Sequence, residues 1–402
     1  MFDPSRVRVS GPLERYAPGF LAELVGVGYK RQSAAFQLQL MGHLSRWLEE
    51  AGLLPEGLSL AEAERFLAAR RAAGYRDHTS SKGLEPLLGY LRRLGVVPPA
   101  DRPVLSAVEL LLERYRDYLL VERGLVAGTA RGYVDLVRPF VVSRCDGRVL
   151  DFAGLTPSEV LSFVLSECER RPRRRAKLMV SALRSLLRYL HVEGLTARPL
   201  AHVVPSFAFW RLSALPRGLD AEEVRALLAS CDRGMAVGRR DFAILLMLVR
   251  LGVRRGEVAV LRLEDIDWRA GQIMVRGKGN RVERLPLPVD VGEALADYLC
   301  HGRPADAEGR SAFVRVNAPH RAMTASGVTQ VVVSASKRAG IGEVTAHRLR
   351  HTAASELLRR GASLSEIGQL LRHRSELSTA IYAKVDRNRL RELARPWPGG
   401  AA

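Results

Sequence analysis

The sequence has little cysteine and no long hydrophobic run. Its four cysteines form no Cys-x-x-Cys pair and lie near no histidine cluster, so we predict plain thiols and neither a disulfide framework nor a zinc site. The longest apolar stretch, Phe242 to Val253, is too short to span a membrane and contains Arg250. The first residues also lack the basic-then-apolar pattern of a secretory signal. We therefore expect a cytoplasmic protein without membrane contact.

Two signatures of phosphate chemistry are absent as well. The sequence has no cluster of acidic residues of the kind that a two-metal nuclease needs to hold its ions. It also lacks the Gly-x-x-x-x-Gly-Lys-Ser/Thr loop that binds nucleotide phosphates. We therefore predict no metal and no cofactor.

Basic residues are abundant. The chain of 402 residues has 62 lysines and arginines against 43 acidic residues, a formal net charge of +19. A whole chain this basic favours a polyanionic partner, and nucleic acid is the first candidate. Nearly all of these residues are arginines, which is typical of a GC-rich bacterial genome, so each of the few lysines is a candidate for a specific role.

Two segments of the N-terminal half resemble each other in sequence. In each, apolar residues recur three and four positions apart, and a Ser or Thr stands where a helix would begin, which predicts about four helices per segment. The alternative is that any two amphipathic helical stretches look alike. The clearest match pairs these residues in order: Leu84, Leu87, Leu88, Tyr90, Leu91 and Gly95 with Leu183, Leu186, Leu187, Tyr189, Leu190 and Gly194.

Domain boundaries follow from changes in these patterns. We predict helical domains over residues 1–100 and 101–196, then a linker over 197–218 that contains three prolines. A last domain over 219–402 begins at the capping box Asp220-Ala-Glu-Glu223. Its pattern is mainly helical, interrupted by a β-hairpin around Gly277-Lys-Gly-Asn280. The predicted fold is therefore mainly α with a small β-sheet.

A run of basic residues lies between two predicted helices of the second domain. Such runs are usually solvated helix faces, but in a chain this basic they can also contact phosphates. We name these residues as candidates for DNA contact: Arg171, Arg173, Arg174, Arg175 and Lys177.

Two cations of the last domain lie at the ends of predicted elements. Arg254 follows the helix-breaking Gly252, and its planar guanidinium can hold two phosphate oxygens. Alternatively, it is a surface charge paired with Glu257 or Asp265. Lys278 lies between two glycines at the hairpin tip, where its ammonium can reach outward. It could equally be a solvated turn lysine.

The remaining candidates lie toward the C-terminus. His347 and Arg350 are three residues apart, so they share a helix face and can act on one group, whereas His351 belongs to the next register. His373 ends a predicted helix, where a C-capping role is the alternative. Tyr382 would by itself pass for a half-buried helix tyrosine.

Together, these side chains suit attack on a phosphodiester without a metal. A phenol with a pKa near 10 is a poor nucleophile at neutral pH, and cationic neighbours lower that cost and stabilise the charge on a five-coordinate phosphorus. We therefore predict a catalytic set of Arg254, Lys278, His347, Arg350, His373 and Tyr382.

The order of these motifs resembles the phage-integrase family of tyrosine recombinases. The box His-x-Leu-Arg-His-Thr is matched by residues 347–352, and the Leu-Gly-His box followed nine residues later by tyrosine is matched by Leu371, His373 and Tyr382. Arg372 replaces the family glycine, and we expect this departure to affect the pose of His373 and little else. Residues 219–385 carry the resemblance strongly, and residues 108–194 resemble the family's core-binding domain more loosely.

The resemblance implies a site-specific recombinase or integrase. Tyr382 would attack the scissile phosphate to give a 3′-phosphotyrosyl bond and a free 5′-hydroxyl, with no metal or ATP. Arg254 and Arg350 would hold the non-bridging oxygens and Lys278 would protonate the leaving oxygen. His347 would serve as acid or base toward the tyrosine, and His373 would hydrogen-bond the phosphate.

The resemblance also implies the assembly. SAM-like helical domains, two in tandem here, and the catalytic domain would clamp duplex DNA carrying specific sites. A dimer would bind each site, and a tetramer would recombine two sites through a Holliday junction in the bacterial nucleoid, with accessory or sister recombinases as further partners. Residues 386–396 would form a helix that docks onto a neighbouring protomer. Residues 1–100 would add DNA binding or, alternatively, contacts between proteins.

Two other functions use similar residues. A DNA-binding regulator that has lost catalysis is disfavoured because the catalytic set is complete. A type IB topoisomerase is disfavoured by the two helical units and the integrase-type boxes.

Overall fold

A computed structural model describes residues 3–99, 105–146, 149–206, 218–277, 281–307, 309–372, 379 and 382. By the contacts between residues, the chain divides into two compact units, residues 99–210 and residues 1–98 with 211–402. Within the described residues no helix is both long and apolar enough to cross a membrane. The predicted three-domain division stays a prediction.

The first segment contains four helices around one hydrophobic core: α1 (Ala17–Gly26), α2 (Arg31–Glu50), α3 (Leu60–Ala72) and α4 (Ser81–Arg93). The third helix begins where its sequence predicts, because the Ser59 hydroxyl accepts from the Glu62 N–H at 3.3 Å. α4 contributes a row of leucines to the core.

Residues 105–206 repeat this order around their own core. The elements are α5 (Ala107–Val121), α6 (Ala127–Ser143), the short strands β1 (Cys145–Asp146) and β2 (Val149–Leu150), α7 (Pro157–Arg170) and α8 (Arg173–Val192). Thr156 caps α7 as Ser59 caps α3, accepting from the Glu159 N–H at 3.4 Å. Gly95 and Gly194, paired by the sequence comparison, both follow their helices at φ +70°. The two segments therefore match in helix order, capping and helix end.

The C-terminal segment surrounds the apolar helix α10. Its elements are α9 (Ala221–Ala229), α10 (Ala236–Arg250), α11 (Arg255–Ala259), β3 (Ile266–Asp267), β4 (Gln272–Arg276), β5 (Val282–Pro286), α12 (Val289–His301), α13 (Ala325–Arg338), α14 (Ala346–Arg359) and α15 (Leu364–Leu370). α10 packs against α12, α13 and α14. The strands form one antiparallel sheet in the order β3-β4-β5.

Most local predictions for this segment match the observed elements. The capping box at Asp220 is present, with the Glu223 N–H donating to the Asp220 carboxylate at 2.8 Å. The predicted hairpin is β4 and β5, in which Arg276 pairs with Val282. The sequence analysis did not predict α12, although Val291, Ala294, Leu295 and Tyr298 of this helix are buried at helical spacing. Four parts of this segment come together at the candidate catalytic residues. They are the start of α11, the start of α14, the end of α15 and the β4–β5 hairpin.

Candidate active site

Arg350 is the most enclosed of the predicted catalytic cations that the structure describes. It lies in the second turn of α14 and is 4% exposed. Its guanidinium donates to two main-chain carbonyls, those of Gly252 and Leu371. Burial, with smaller contributions from Arg254 and Arg372, lowers the pKa of Arg350 to about 10. The side chain is therefore still a cation at neutral pH, held in one orientation by the backbone.

Gly252 has the conformation and the space that only glycine provides. Its φ is +56°, and a Cβ built on it would lie 2.6 Å from the Leu371 side chain. The chain can therefore turn sharply between α10 and α11 while its carbonyl faces Arg350. The sequence analysis identified the break at Gly252 but not this contact.

Arg254 lies just before α11 and bonds to Glu257. Its guanidinium donates to Glu257 Oε1 at 2.6 Å and its N–H to Glu257 Oε2 at 2.8 Å. A further N–H of the guanidinium donates to the Arg372 carbonyl at 3.3 Å. The side chain of Arg254 is 40% exposed, whereas that of Glu257 is buried. The pairing with Glu257 that the sequence allowed as an alternative is thus present, and it leaves much of the Arg254 side chain exposed.

Arg372 belongs to the same cluster, so the expectation that it would affect little beyond His373 is wrong. Its side chain is 3% exposed and donates to Glu257 Oε2 at 2.6 Å. The guanidinium groups of Arg254 and Arg372 therefore share the buried carboxylate of Glu257, and Arg350 interacts with it electrostatically. The cluster is net positive and suits an anionic group such as a phosphodiester.

Tyr382 packs in a small apolar cluster with Ala354, Ile367 and Leu371, and it is 2% exposed. Its hydroxyl lies 2.7 Å from Nδ1 of His351. Burial raises the pKa of Tyr382 to about 12, an effect that the nearby charge of Arg350 reduces. The nucleophile of the predicted set is therefore protonated and covered in this structure.

His351 is the site residue that the sequence analysis missed. Burial, followed by the charges of His347 and Arg350, lowers the pKa of His351 to about 4. Its imidazole is therefore neutral at pH 7, and in the tautomer with its proton on Nε2, Nδ1 accepts a hydrogen bond from the Tyr382 hydroxyl. The spacing from His347 was an available signal, because residues four apart share a helix face.

His347 is exposed in the first turn of α14, and its ring centroid lies 4.3 Å from that of His351. Arg348 faces elsewhere, 3.5 Å from Glu223. Within about one turn, α14 therefore brings His347 beside His351 and directs the Arg350 side chain to the main-chain carbonyls of Gly252 and Leu371.

Two predicted catalytic residues, Lys278 and His373, lie outside the described residues, as does the proposed helix over residues 386–396. For Lys278, the structure describes the strands that lead to it and the Gly277 N–H, which donates to the Arg281 carbonyl at 2.8 Å. For His373, it describes the preceding Arg372. Their catalytic roles stay predictions.

The candidate DNA-contact residues lie at the junction of α7 and α8. Arg171 pairs with the buried Glu167 at 2.5 Å, and Arg173 and Arg175 are exposed. Lys177 is half-buried one turn further along α8, and the side chain of Arg174 lies outside the described part. Phosphate contact by these residues stays a prediction.

The chemistry that this arrangement allows is attack by a phenol on a phosphodiester. The arginine cluster supplies fixed positive charge, Tyr382 supplies a hydroxyl, and neutral His351 can accept its proton. In the described part of the chain, no group of three or more His, Cys, Asp and Glu residues is arranged to hold a metal ion.

Comparisons with known proteins agree with this chemistry. The sequence profile of the Phage integrase family matches residues 217–389, and that of the phage integrase N-terminal SAM-like domain matches residues 112–194. The chain is 41% identical over 398 residues to the y4rA protein of Sinorhizobium fredii strain NBRC 101917 / NGR234, which covers 97% of this chain and 96% of that protein. It is 31% identical over 290 residues to tyrosine recombinase XerD of Listeria monocytogenes serotype 4b, strain F2365, covering 70% of this chain and 96% of XerD.

Solved structures share the fold. The XerH site-specific recombinase bound to its difH substrate aligns with a TM-score of 0.53 at 20% identity, covering 83% of this chain and 94% of that one. A lambda integrase tetramer bound to a Holliday junction aligns with a TM-score of 0.52 at 19% identity, covering 79% and 88%. The fold class, family and enzyme class that the sequence predicted are thereby confirmed. The chain belongs to the phage integrase family and is a tyrosine-type site-specific recombinase.

Proposed function

We propose that this recombinase cuts and rejoins DNA through a covalent link to Tyr382. The Tyr382 oxygen attacks the scissile phosphorus, and the bond from phosphorus to the 5′-oxygen breaks. The products are a 3′-phosphotyrosyl ester and a free 5′-hydroxyl. The ester conserves the energy of the broken bond, so the reverse attack by a 5′-hydroxyl rejoins a strand without ATP.

One observation supports this proposal most directly: the Tyr382 hydroxyl is hydrogen-bonded to the neutral imidazole of His351 beside Arg350. A tyrosine needs a proton acceptor and a nearby cation to act as a nucleophile at neutral pH, and His351 and Arg350 supply both. In this proposal Lys278 donates the proton that the leaving 5′-oxygen takes up. His347 assists proton transfer at the tyrosine, and His373 hydrogen-bonds the phosphate.

Arg254 and Arg350 would bind the two non-bridging oxygens. A guanidinium has five N–H groups, and the two carbonyls bonded to Arg350 occupy only two of them. Arg254 keeps a partly exposed side chain while Glu257 fixes its direction. Fixed cations of this kind stabilise the charge that develops on phosphorus without having to reorganise during the reaction.

Tyr382 must move for this reaction to occur. Its side chain is packed against Ala354, Ile367 and Leu371, and among the described residues its hydroxyl is bonded to His351 and not to the arginine cluster. We propose that the bound DNA favours a second position of Tyr382, in which its hydroxyl leaves the small apolar cluster for the arginine cluster.

The partner in this proposal is duplex DNA that carries specific recombination sites. Lambda integrase and XerH have been solved on such DNA, and lambda integrase also as a tetramer on a Holliday junction. By analogy, we propose one dimer per site, a tetramer at synapsis and a Holliday-junction intermediate for this chain. Accessory or sister recombinases and a location on the bacterial nucleoid stay predictions.

We further propose that the second helical segment contacts DNA phosphates at the α7–α8 junction. The support is the exposure of Arg173 and Arg175 together with the match to the SAM-like domain. The first segment shares its helix order, so we propose DNA binding for it too. Contact with another protein is the alternative.

The test begins with covalent capture, because the target site is unidentified. Purified protein is incubated with sheared DNA of the host, denatured with detergent, and the DNA that stays attached is sequenced. A nicked duplex with the recovered site then serves as a suicide substrate for wild type and Tyr382→Phe. We expect a covalent adduct from wild type alone, and an adduct from both would place the nucleophile elsewhere.

The control for this substitution is Tyr298→Phe, because Tyr298 is another fully buried tyrosine of the same segment. It should form the adduct at the wild-type rate. A second assay uses a supercoiled plasmid without the recovered site. Its relaxation by wild type would favour topoisomerase activity over site-specific recombination.

A further inference from the structure

Arg372 adopts a backbone conformation that favours glycine. Its φ is +54°, in the left-handed region that ends α15, and the only other described non-glycine residue at positive φ is His78. Glycine would adopt this conformation without steric cost, so an arginine here requires a compensating interaction.

The compensating interaction is a buried ion pair. The guanidinium of Arg372 donates to Glu257 Oε2 at 2.6 Å and to the Leu370 carbonyl at 3.2 Å. Glu257 Oε2 also accepts the Arg254 N–H, and Oε1 accepts the Arg254 guanidinium. One carboxylate therefore holds both arginines.

The contacts close into a ring. The Arg372 side chain binds Glu257, Glu257 binds Arg254, and the Arg254 guanidinium donates to the Arg372 carbonyl at 3.3 Å. The ring connects the start of α11 to the turn that precedes His373. If Arg372 is removed, Glu257 loses one of its two cations and Arg254 loses one of the constraints on its direction.

Arg372 also lies near the sheet that carries the hairpin. No described residue accepts a hydrogen bond from its buried Nε, which lies 3.9 Å from Glu283 of β5. β5 is the strand that follows the hairpin tip. The side chain thus lies between the cluster around Glu257 and the strand after Lys278.

We propose that Arg372 is a positioning residue for strand cleavage, acting through Glu257 to fix the direction of Arg254 toward the scissile phosphate. The proposal rests on the function proposed above. It assigns the arginine at this position a role that a glycine could not perform. It predicts that glycine at position 372 would favour the backbone turn and slow strand cleavage.

The test compares Arg372→Gly, Arg372→Lys and wild type in single-turnover cleavage of the suicide substrate at saturating DNA. We expect Arg372→Gly to slow cleavage by about 10- to 100-fold, the range for loss of a hydrogen bond to a charged group. Its DNA affinity should stay within about threefold of wild type, and circular dichroism should show a folded protein at the assay temperature, because relief of the left-handed backbone offsets part of the loss of the ion pair with Glu257. Arg372→Lys should recover part of the rate, since lysine keeps the charge opposite Glu257.

Two controls separate positioning from a structural role. His78→Gly relieves the other left-handed backbone in a different segment, and it should not slow cleavage. The second control repeats Arg372→Gly in a Glu257→Gln background. If Arg372 acts through Glu257, the added loss should be much smaller there than in wild type.

Three outcomes would overturn the proposal: Arg372→Gly cleaving at the wild-type rate, its DNA affinity falling along with the rate, or an equal loss in both backgrounds. Tyr382→Phe in the same assay tests the proposed function separately. An adduct with Tyr382→Phe would reject Tyr382 as the nucleophile. The ratio of the cleavage rates of Arg372→Gly and wild type would still measure the positioning effect of Arg372.

Discussion

The candidate active site and the second helical segment use positive charge in different ways. In the active site, Arg350 and Arg372 are buried and their guanidinium groups are held by main-chain carbonyls and Glu257. At the α7–α8 junction, Arg173 and Arg175 are exposed. Fixed cations suit the stabilisation of a transition state, whereas exposed cations suit binding to a polyanion in several registers.

The difference has an energetic basis. A buried cation is costly unless its N–H groups are bonded, so the protein must surround it with acceptors, and these then fix its direction. An exposed arginine keeps its hydration and its freedom, and its contribution to DNA binding comes largely from released counterions. The comparison therefore predicts that substitutions in the two regions will affect different measured quantities.

The largest effect is expected at the most enclosed cation. Arg350→Met leaves the carbonyls of Gly252 and Leu371 without their donor and removes a charge from the phosphate site. We expect cleavage at saturating DNA to slow by about 100- to 1000-fold. We also expect a loss of about 2 to 4 kcal/mol in the free energy of unfolding, measured by urea denaturation, because two buried acceptors become unsatisfied.

Arg348→Met is the matched control for this prediction. Arg348 lies on the same helix but faces Glu223, and both side chains are partly exposed. Its loss should change the free energy of unfolding by less than about 1 kcal/mol. Equal effects of the two substitutions would contradict the distinction between fixed and exposed cations.

Much of the active site could be predicted from the sequence because its signals are local. The three-residue spacing of His347 and Arg350 predicted that they share a face of α14, and Gly252 predicted the turn that precedes Arg254. The capping box at Asp220 and the hairpin around Gly277 were predicted for the same reason. Each depends on residues within one or two turns of one another.

The missed contacts join residues far apart in the chain. Arg350 binds the carbonyl of Gly252, 98 residues away, and Arg372 binds Glu257, 115 residues away. Main-chain acceptors have no side-chain signature, so no motif can reveal the first contact. The contact of Arg372 with Glu257 was missed because an arginine in place of the family's glycine was expected to affect only the turn beside His373.

A smaller effect is expected from pH at His351. The folded-state pKa of His351 is about 4, below its ordinary value near 6.5, so the unfolded chain binds more protons between these values. The stability of the protein should therefore rise as pH increases from about 4 to about 6.5, and fall as pH decreases through the same window. Thermal melting of wild type and His351→Asn across this range measures the effect.

In His351→Asn this part of the pH dependence should disappear. His202→Asn is the control, because His202 is exposed in the second helical segment and should leave the pH dependence as it is. An unchanged slope in His351→Asn would mean that other groups cause the acid destabilisation.

The smallest effect is expected at the α7–α8 junction. Arg173→Ser with Arg175→Ser should weaken binding to the recovered site, and the slope of log affinity against log salt should decrease by about 0.9 for each lost phosphate contact. Cleavage at saturating DNA should stay within about twofold of wild type, because neither residue belongs to the arginine cluster. Arg114→Ser with Arg116→Ser, at two other exposed arginines of the same segment, controls for the same change in net charge. The opposite result would be a change in the cleavage rate at saturating DNA with no change in the salt slope. Exposed arginines of the helical segment would then contribute to catalysis, and the contrast between the two regions would be wrong.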